Sequence, residues 1–108
     1  MATVQLTEQN FSEVVENNPT VLLDFWAPWC LTCTAFTAVL AASSEHHPGT
    51  VFATINTDEQ QNLAGAAGIT SVPTLLVIKD HRLVHTQHGA LSPAALEALL
   101  RELAELDG

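Results

Sequence analysis

Residues 21–33 read Val21-Leu22-Leu23-Asp24-Phe25-Trp26-Ala27-Pro28-Trp29-Cys30-Leu31-Thr32-Cys33. The first six form an apolar run broken only by Asp24, the pattern of a strand buried on both faces at the centre of a sheet. Pro28 ends the run. From Cys33 to about Ser44 the chain is rich in alanine, and Phe36, Val39 and Leu40 are spaced to bury one face of a helix. Cys30 and Cys33 therefore fall at a strand-to-helix junction.

These are the only two cysteines in 108 residues. Their spacing fits either a redox pair or half of a zinc site. Zinc needs two more ligands, and His46-His47 is the only adjacent pair on offer. At about 1.5 Å per helical residue those histidines lie roughly 20 Å from Cys33. His85 and His88 differ by an odd number along one strand, so they face opposite sides and make no metal pair. No metal is expected. A redox pair fits the junction better. Free amide N–H groups and the helix dipole stabilise a thiolate on the first cysteine, which can lower its pKa to roughly 3.5–7.5 from about 8.5. That thiolate is the nucleophile of disulfide exchange, and a second cysteine one turn on can release the partner. Cys30 is thus expected to attack and Cys33 to resolve.

Asp24 is out of place in an apolar strand. Burial makes its ionised form costly, so its pKa should rise, and a perturbed carboxyl beside reactive groups is more often functional than inert.

Working outward, Thr7 reads as an N-cap before Phe11, Val14 and Val15 at helical spacing, and Pro19 closes that segment. Pro48-Gly49 is a turn, Val51 to Asn56 a second buried strand, and residues 59–67 a short helix closed by Gly68. Pro73 opens the strand Thr74 to Ile78, as proline can at a strand's first position. Asp80-His81 then joins it to Arg82–His88 as a tight hairpin, with His81 expected at φ > 0. Gly89 breaks that strand. Ser92 caps and Pro93 starts a last helix, whose stripe of Leu96, Leu99, Leu100, Leu103 and Leu106 reads as core. Trp26 also reads as core, and His46 and His47 as solvated. The alternation implies one α/β domain over residues 1–108. It is built on a mixed sheet of about five strands, with about four helices on both faces and the hairpin as an antiparallel edge.

Composition narrows the function classes. Apolar residues make up 47% of the chain, enough for a packed core. The formal net charge is −9 with only Lys79, Arg82 and Arg101 as basic residues. So acidic a chain lacks the cationic footprint for nucleic acid or an anionic membrane surface. No stretch approaches the length of a membrane span. Met1-Ala2-Thr3-Val4-Gln5 carries no basic start followed by an apolar run, so no signal peptide is expected and a cytoplasmic location is.

The stretch Phe25 to Cys33, with Trp29 before the first cysteine and Asp24 upstream, resembles the thioredoxin family. Val72-Pro73-Thr74 is similar to that family's cis-proline loop, and Gly89-Ala90-Leu91 to its glycine turn before the last helix. The element order agrees along the whole chain. The resemblance implies the thioredoxin fold and a monomeric protein-disulfide oxidoreductase. Its only redox group would be the reversible Cys30–Cys33 disulfide, with no other cofactor. Disulfide-containing client proteins and a thioredoxin reductase would be its partners. It further implies that Asp24 is an acid/base for Cys33 through water, and that the Val72–Pro73 bond is cis. The exposed Val72 backbone would then pair with an extended substrate. Trp29 would wall off the thiolate, and Gly89 and His88 would complete the docking face.

Several positions depart from the family pattern. Leu31-Thr32 stands where Gly-Pro is commonest, and Thr34 where Lys or Arg often follows. Ala38 stands for the helix-kinking proline, Thr54 for the lysine beside the buried Asp, and His81 for the hairpin glycine. The docking face carries the polar Thr57, Ser71 and His88. Thr32 offers an amide and a hydroxyl near the Cys30 sulfur that proline could not, which predicts a somewhat more oxidising pair. Two alternatives to a general reductant follow. One is a specialised, more oxidising relative with few clients. The other is a non-catalytic binding or chaperone module on the same fold.

Overall fold

The structure, a computed structural model, describes residues 3–106. Met1, Ala2, Asp107 and Gly108 lie outside them, and with them the ends of the expected 1–108 domain and part of the stretch read for a leader.

The elements run β1 (Thr3–Gln5), α1 (Phe11–Glu16), β2 (Thr20–Trp26), α2 (Leu31–Ser44), β3 (Val51–Asn56), α3 (Gln61–Ala66), β4 (Thr74–Lys79), β5 (Arg82–His88) and α4 (Pro93–Ala104). The sheet order is β1-β3-β2-β4-β5. The pairs β1–β3 and β3–β2 are parallel, and β2–β4 and β4–β5 antiparallel. The apolar run sits in the middle strand because it has no polar face to give to water. Its side chains alternate between two cores. Leu22 joins Phe36, Leu40, Phe52, Leu75, Val77, Leu96 and Leu103 under α2 and α4. Val21, Leu23 and Phe25 join Leu6, Ala53, Ile55 and Leu76, with Phe11, Val14 and Leu63 packed against them from α1 and α3. By the period of two, Asp24 faces the same side as Leu22, towards α2.

The hairpin forms as expected. Asp80 and His81 take φ of 51° and 69°, the two positive values of a two-residue type I′ turn. The His81 ring also reaches the Glu16 carbonyl at the end of α1, 3.1 Å away. His81→Gly relieves the left-handed conformation but loses that exposed bond and adds freedom to the unfolded chain. The expected result is neutral to slightly stabilising. A fall in Tm of more than about 4 °C, equivalent to roughly 1 kcal/mol for a domain of this size, would count against that balance.

Thr7 caps the turn that leads into α1, as expected: its hydroxyl takes the Gln9 amide at 3.2 Å, its carbonyl takes the Phe11 amide at 3.1 Å, and Asn10 Oδ1 accepts from the Thr7 amide at 2.8 Å. Asn10 immediately precedes α1 and makes no cap bond of its own. Other details differ from the sequence reading. Leu106 is exposed at 45%, not core. The Lys79 ammonium donates to the Leu103 and Leu106 carbonyls at 2.8 and 2.7 Å and ends the helix before the stripe reaches Leu106. His47 is not simply solvated. Its Nε2 lies 2.8 Å from Glu97 Oε1, and Ser43 donates to Glu97 Oε2 at 2.6 Å. Ser43 and then His47 hold the Glu97 carboxyl below its ordinary pKa, and together they tie the end of α2 to α4. No helix among the described residues is long and apolar enough to cross a membrane.

Candidate functional site

The loop leaving β2 turns on a bond from the Cys30 amide to the Ala27 carbonyl (3.1 Å) and delivers Cys30 to the N-cap of α2. Cys30 has extended backbone angles, and its Sγ accepts from the Cys33 amide at 3.1 Å. The cap role that Ser or Asp usually fills is thus taken by sulfur, and the Cys33 amide, one of the free amides of the first turn, faces it. Cys33, one turn on, is completely buried, whereas Cys30 is half-buried. The two are joined in a disulfide. Thr32, expected to supply a donor to the Cys30 sulfur, is exposed, and among the described residues the amide on that sulfur is that of Cys33. The reason is cap geometry: the N-cap side chain folds back on the amide three residues on.

The Val72–Pro73 bond is cis. The Val72 carbonyl oxygen lies 3.9 Å from Cys30 Sγ, so this loop and the cysteines form one surface. Two bonds hold the loop: Gly89 donates its amide to the Pro73 carbonyl at 2.9 Å, and the Thr74 hydroxyl donates to the Ser71 carbonyl at 2.8 Å. Gly89 has φ of +89°, a conformation other residues adopt only under strain, so the glycine is what lets the chain turn here. Beside the loop lies an open cleft of about 160 Å³, lined by Trp29, Thr57, Ile69, Ser71 and Val72 among others. Trp29 is 70% exposed, and its indole N–H donates to Asp58 at 3.4 Å. It stands on the rim of the cleft rather than as a closed wall, with its indole turned to Asp58. Nothing in the sequence pointed to Asp58. His88 is exposed, in register with Thr74 at the end of the edge strand β5.

Asp24 is fully buried. Its register partners are Thr54 on β3 and Leu75 on β4, so no cation stands beside it in the sheet. The Thr37 hydroxyl donates to Oδ2 at 3.1 Å, and Oδ1 has no hydrogen-bond partner. Burial pushes the carboxyl up from 3.8 to about 7, with the Thr37 bond pulling the other way. Such a group exchanges a proton near neutral pH. Two residues along the same face, Trp26 is half-buried rather than core, and its indole N–H is buried and unpartnered. Among the described residues no group of three or more His, Cys, Asp or Glu could hold a metal ion.

A domain-family model described as Thioredoxin matches residues 2–102. The chain belongs to the thioredoxin family. It is 42% identical over 106 residues to "Putative thioredoxin 2" of Streptomyces coelicolor, covering 98% of this chain and 79% of that relative. It is 39% identical to the thioredoxin of Bacillus subtilis, covering 94% of this chain and 98% of that one. Among solved structures, a variant thioredoxin of Halobacterium salinarum superposes with a TM-score of 0.89 at 31% identity, over 98% of this chain and 94% of the other. The five-stranded mixed sheet with four helices is the thioredoxin fold. With its disulfide-forming pair Cys30–Cys33, this member of the family is a protein-disulfide oxidoreductase. Disulfide-bearing proteins and a thioredoxin reductase are the general partners that membership of the family implies.

Proposed function

We propose that this protein works as a general reductant of protein disulfides in the cytoplasm, as a monomer, with Cys30 as nucleophile and Cys33 as resolving thiol. The observation that carries the assignment of roles is the asymmetry of the pair. Cys30 is half-buried at a helix N-cap beside the Val72 carbonyl, and Cys33 is sealed from solvent. A client disulfide can reach the first sulfur and not the second. The Cys30 thiolate attacks one client sulfur, and the other leaves as a thiolate. Asp24 takes the Cys33 proton, the Cys33 thiolate attacks Cys30 Sγ, and the second client thiolate is released. The products are a Cys30–Cys33 disulfide and a reduced client, and a thioredoxin reductase returns the electrons. No cofactor beyond the cysteine pair enters this scheme. Val72, Pro73, Gly89 and the Trp29 rim serve as the seat for an extended client segment, with His88 at its edge.

The general reductant is favoured over a more oxidising specialist because one of the two features that argued for the specialist, the Thr32 donor, is not engaged on the Cys30 sulfur, while the polar docking face of Thr57, Ser71 and His88 remains its support. The test is insulin reduction, first with dithiothreitol and then with a thioredoxin reductase and NADPH. Turnover in both supports the reading. Turnover with dithiothreitol alone selects the specialist, and none in either selects a binding module.

A further inference from the structure

Thr37 lies four residues after Cys33, so both point from the same stripe of α2 towards the sheet. From this stripe the Thr37 hydroxyl meets the Asp24 carboxyl of β2. The structure shows one bond to it, from the Thr37 hydroxyl to Oδ2 at 3.1 Å, and leaves the buried Oδ1 unpartnered. None of the residues that face Asp24 from the neighbouring elements carries a charge. Thr54 and Leu75 flank it in register on β3 and β4, and Gln5 follows Thr54 in the same row on β1. Thr37 faces it from α2, with Cys33 one turn earlier on the same stripe, and of all these only Cys33 titrates, once reduced. Thr37 also lines an open cleft of about 440 Å³ with Thr3, Gln5, Trp26, Thr34 and Thr54. Thr37 thus borders a water-accessible space while its hydroxyl holds the carboxyl.

We propose that Thr37 is a positioning residue for the thiol–disulfide reaction, holding Asp24 by Oδ2 so that Oδ1 is the oxygen free to take the Cys33 proton. This rests on the role of Asp24 given above. Its hydrogen bond favours the ionised carboxylate, the work a cation at position 54 would otherwise do. When the Cys33 thiol gives up its proton, the electron pair stays on sulfur for attack on Cys30 and the proton goes to Asp24. The sequence signal was a polar residue on the stripe of α2 that carries Cys33, in a helix otherwise alanine-rich.

The experiment is a carboxyl ¹³C NMR titration of Asp24 in the oxidised protein, where neither cysteine titrates. It is paired with the pH profile of client-thiol release from a preformed Cys30 mixed disulfide. Thr37→Val keeps the shape and removes the hydroxyl, and Thr37→Ala removes it without a β-branched side chain. Both are expected to raise the titration midpoint and the release inflection together by about one pH unit. Thr37→Ser is expected to restore both, which a purely structural role would not produce. A midpoint unmoved or lowered in Thr37→Val and Thr37→Ala overturns the inference. Asp24→Asn separates the two readings. An unchanged release profile in Asp24→Asn overturns both the role of Asp24 and that of Thr37. If the inflection is lost there but stays in place in Thr37→Val, the inference about Thr37 fails alone.

Discussion

Cys33→Ser is expected to convert the protein from a catalyst into a trap, with client proteins held as mixed disulfides on Cys30. The variant keeps the Cys30 sulfur at the N-cap of α2, so the first attack proceeds. What it loses is an internal thiol one helical turn away. Well-placed intramolecular groups act at effective molarities on the order of 10⁵ M or more. Millimolar external thiol cannot replace one, and turnover of insulin should fall by at least about 100-fold. Cys30→Ser should be equally inactive and carry no adduct, because the remaining Cys33 is fully buried. Mass spectrometry of partners captured from a reduced-thiol-free lysate reads both variants. Adducts on Cys33 in Cys30→Ser, with none on Cys30 in Cys33→Ser, would reverse the roles.

How far the sequence carried this reading depended on whether a residue's fate was local. The run Val21 to Trp26 had no polar face to offer, so its central place was legible, and Pro28 marked where it stopped. Asp80-His81 was legible as a turn because a two-residue hairpin loop demands positive φ. The cysteine spacing, set at a strand-to-helix junction, placed the first sulfur at a helix N-terminus; that the second is sealed from solvent came from the structure. What escaped were contacts made across the fold. His47 meets Glu97 from 50 residues away, and the Trp29 indole meets Asp58 across the mouth of the site. Helical spacing assigns Thr37 a face but does not tell a donor aimed at a carboxylate from a small filler residue. Thr7 was legible as a cap, but the Asn10 side chain that bonds back to its amide was not. Leu106 continued the leucine stripe in register, yet a lysine from β4 ended the helix first. Thr32 failed for a related reason: it supplies donors near the sulfur in sequence, whereas cap geometry selects the amide of Cys33.

Asp24→Asn is expected to stabilise the protein strongly at neutral and alkaline pH and not at all in acid. In the unfolded chain this carboxyl ionises around its ordinary 3.8, whereas in the fold burial raises it to about 7. Below pH 3.8 both states hold the proton and the group contributes nothing to pH dependence. As pH rises from there to about 7, the unfolded chain releases the proton and the folded one keeps it. The folded state then binds more protons, so its stability drains away by about 1.4 kcal/mol for each pH unit across that window. Above about 7 the full cost, on the order of 4 kcal/mol, is in place. Asparagine has nearly the same shape and no charge to desolvate, and the Thr37 hydroxyl can donate to its Oδ1 as it does to the carboxylate. The variant should therefore unfold at a Tm higher by roughly 15 °C or more at pH 8, using about 4–8 °C per kcal/mol. At pH 3 the two proteins should melt together. Taking the difference between variant and wild type at each pH cancels the titration of the other eleven acidic residues, of the twelve in the chain. A difference that does not grow between pH 4 and pH 7, or one that favours the wild type, would mean that Asp24 is ionised in the fold without cost. A group that costs this much and could be replaced by a neutral twin is kept for what its proton does. The same variant should accordingly lose the pH dependence of client release while gaining stability.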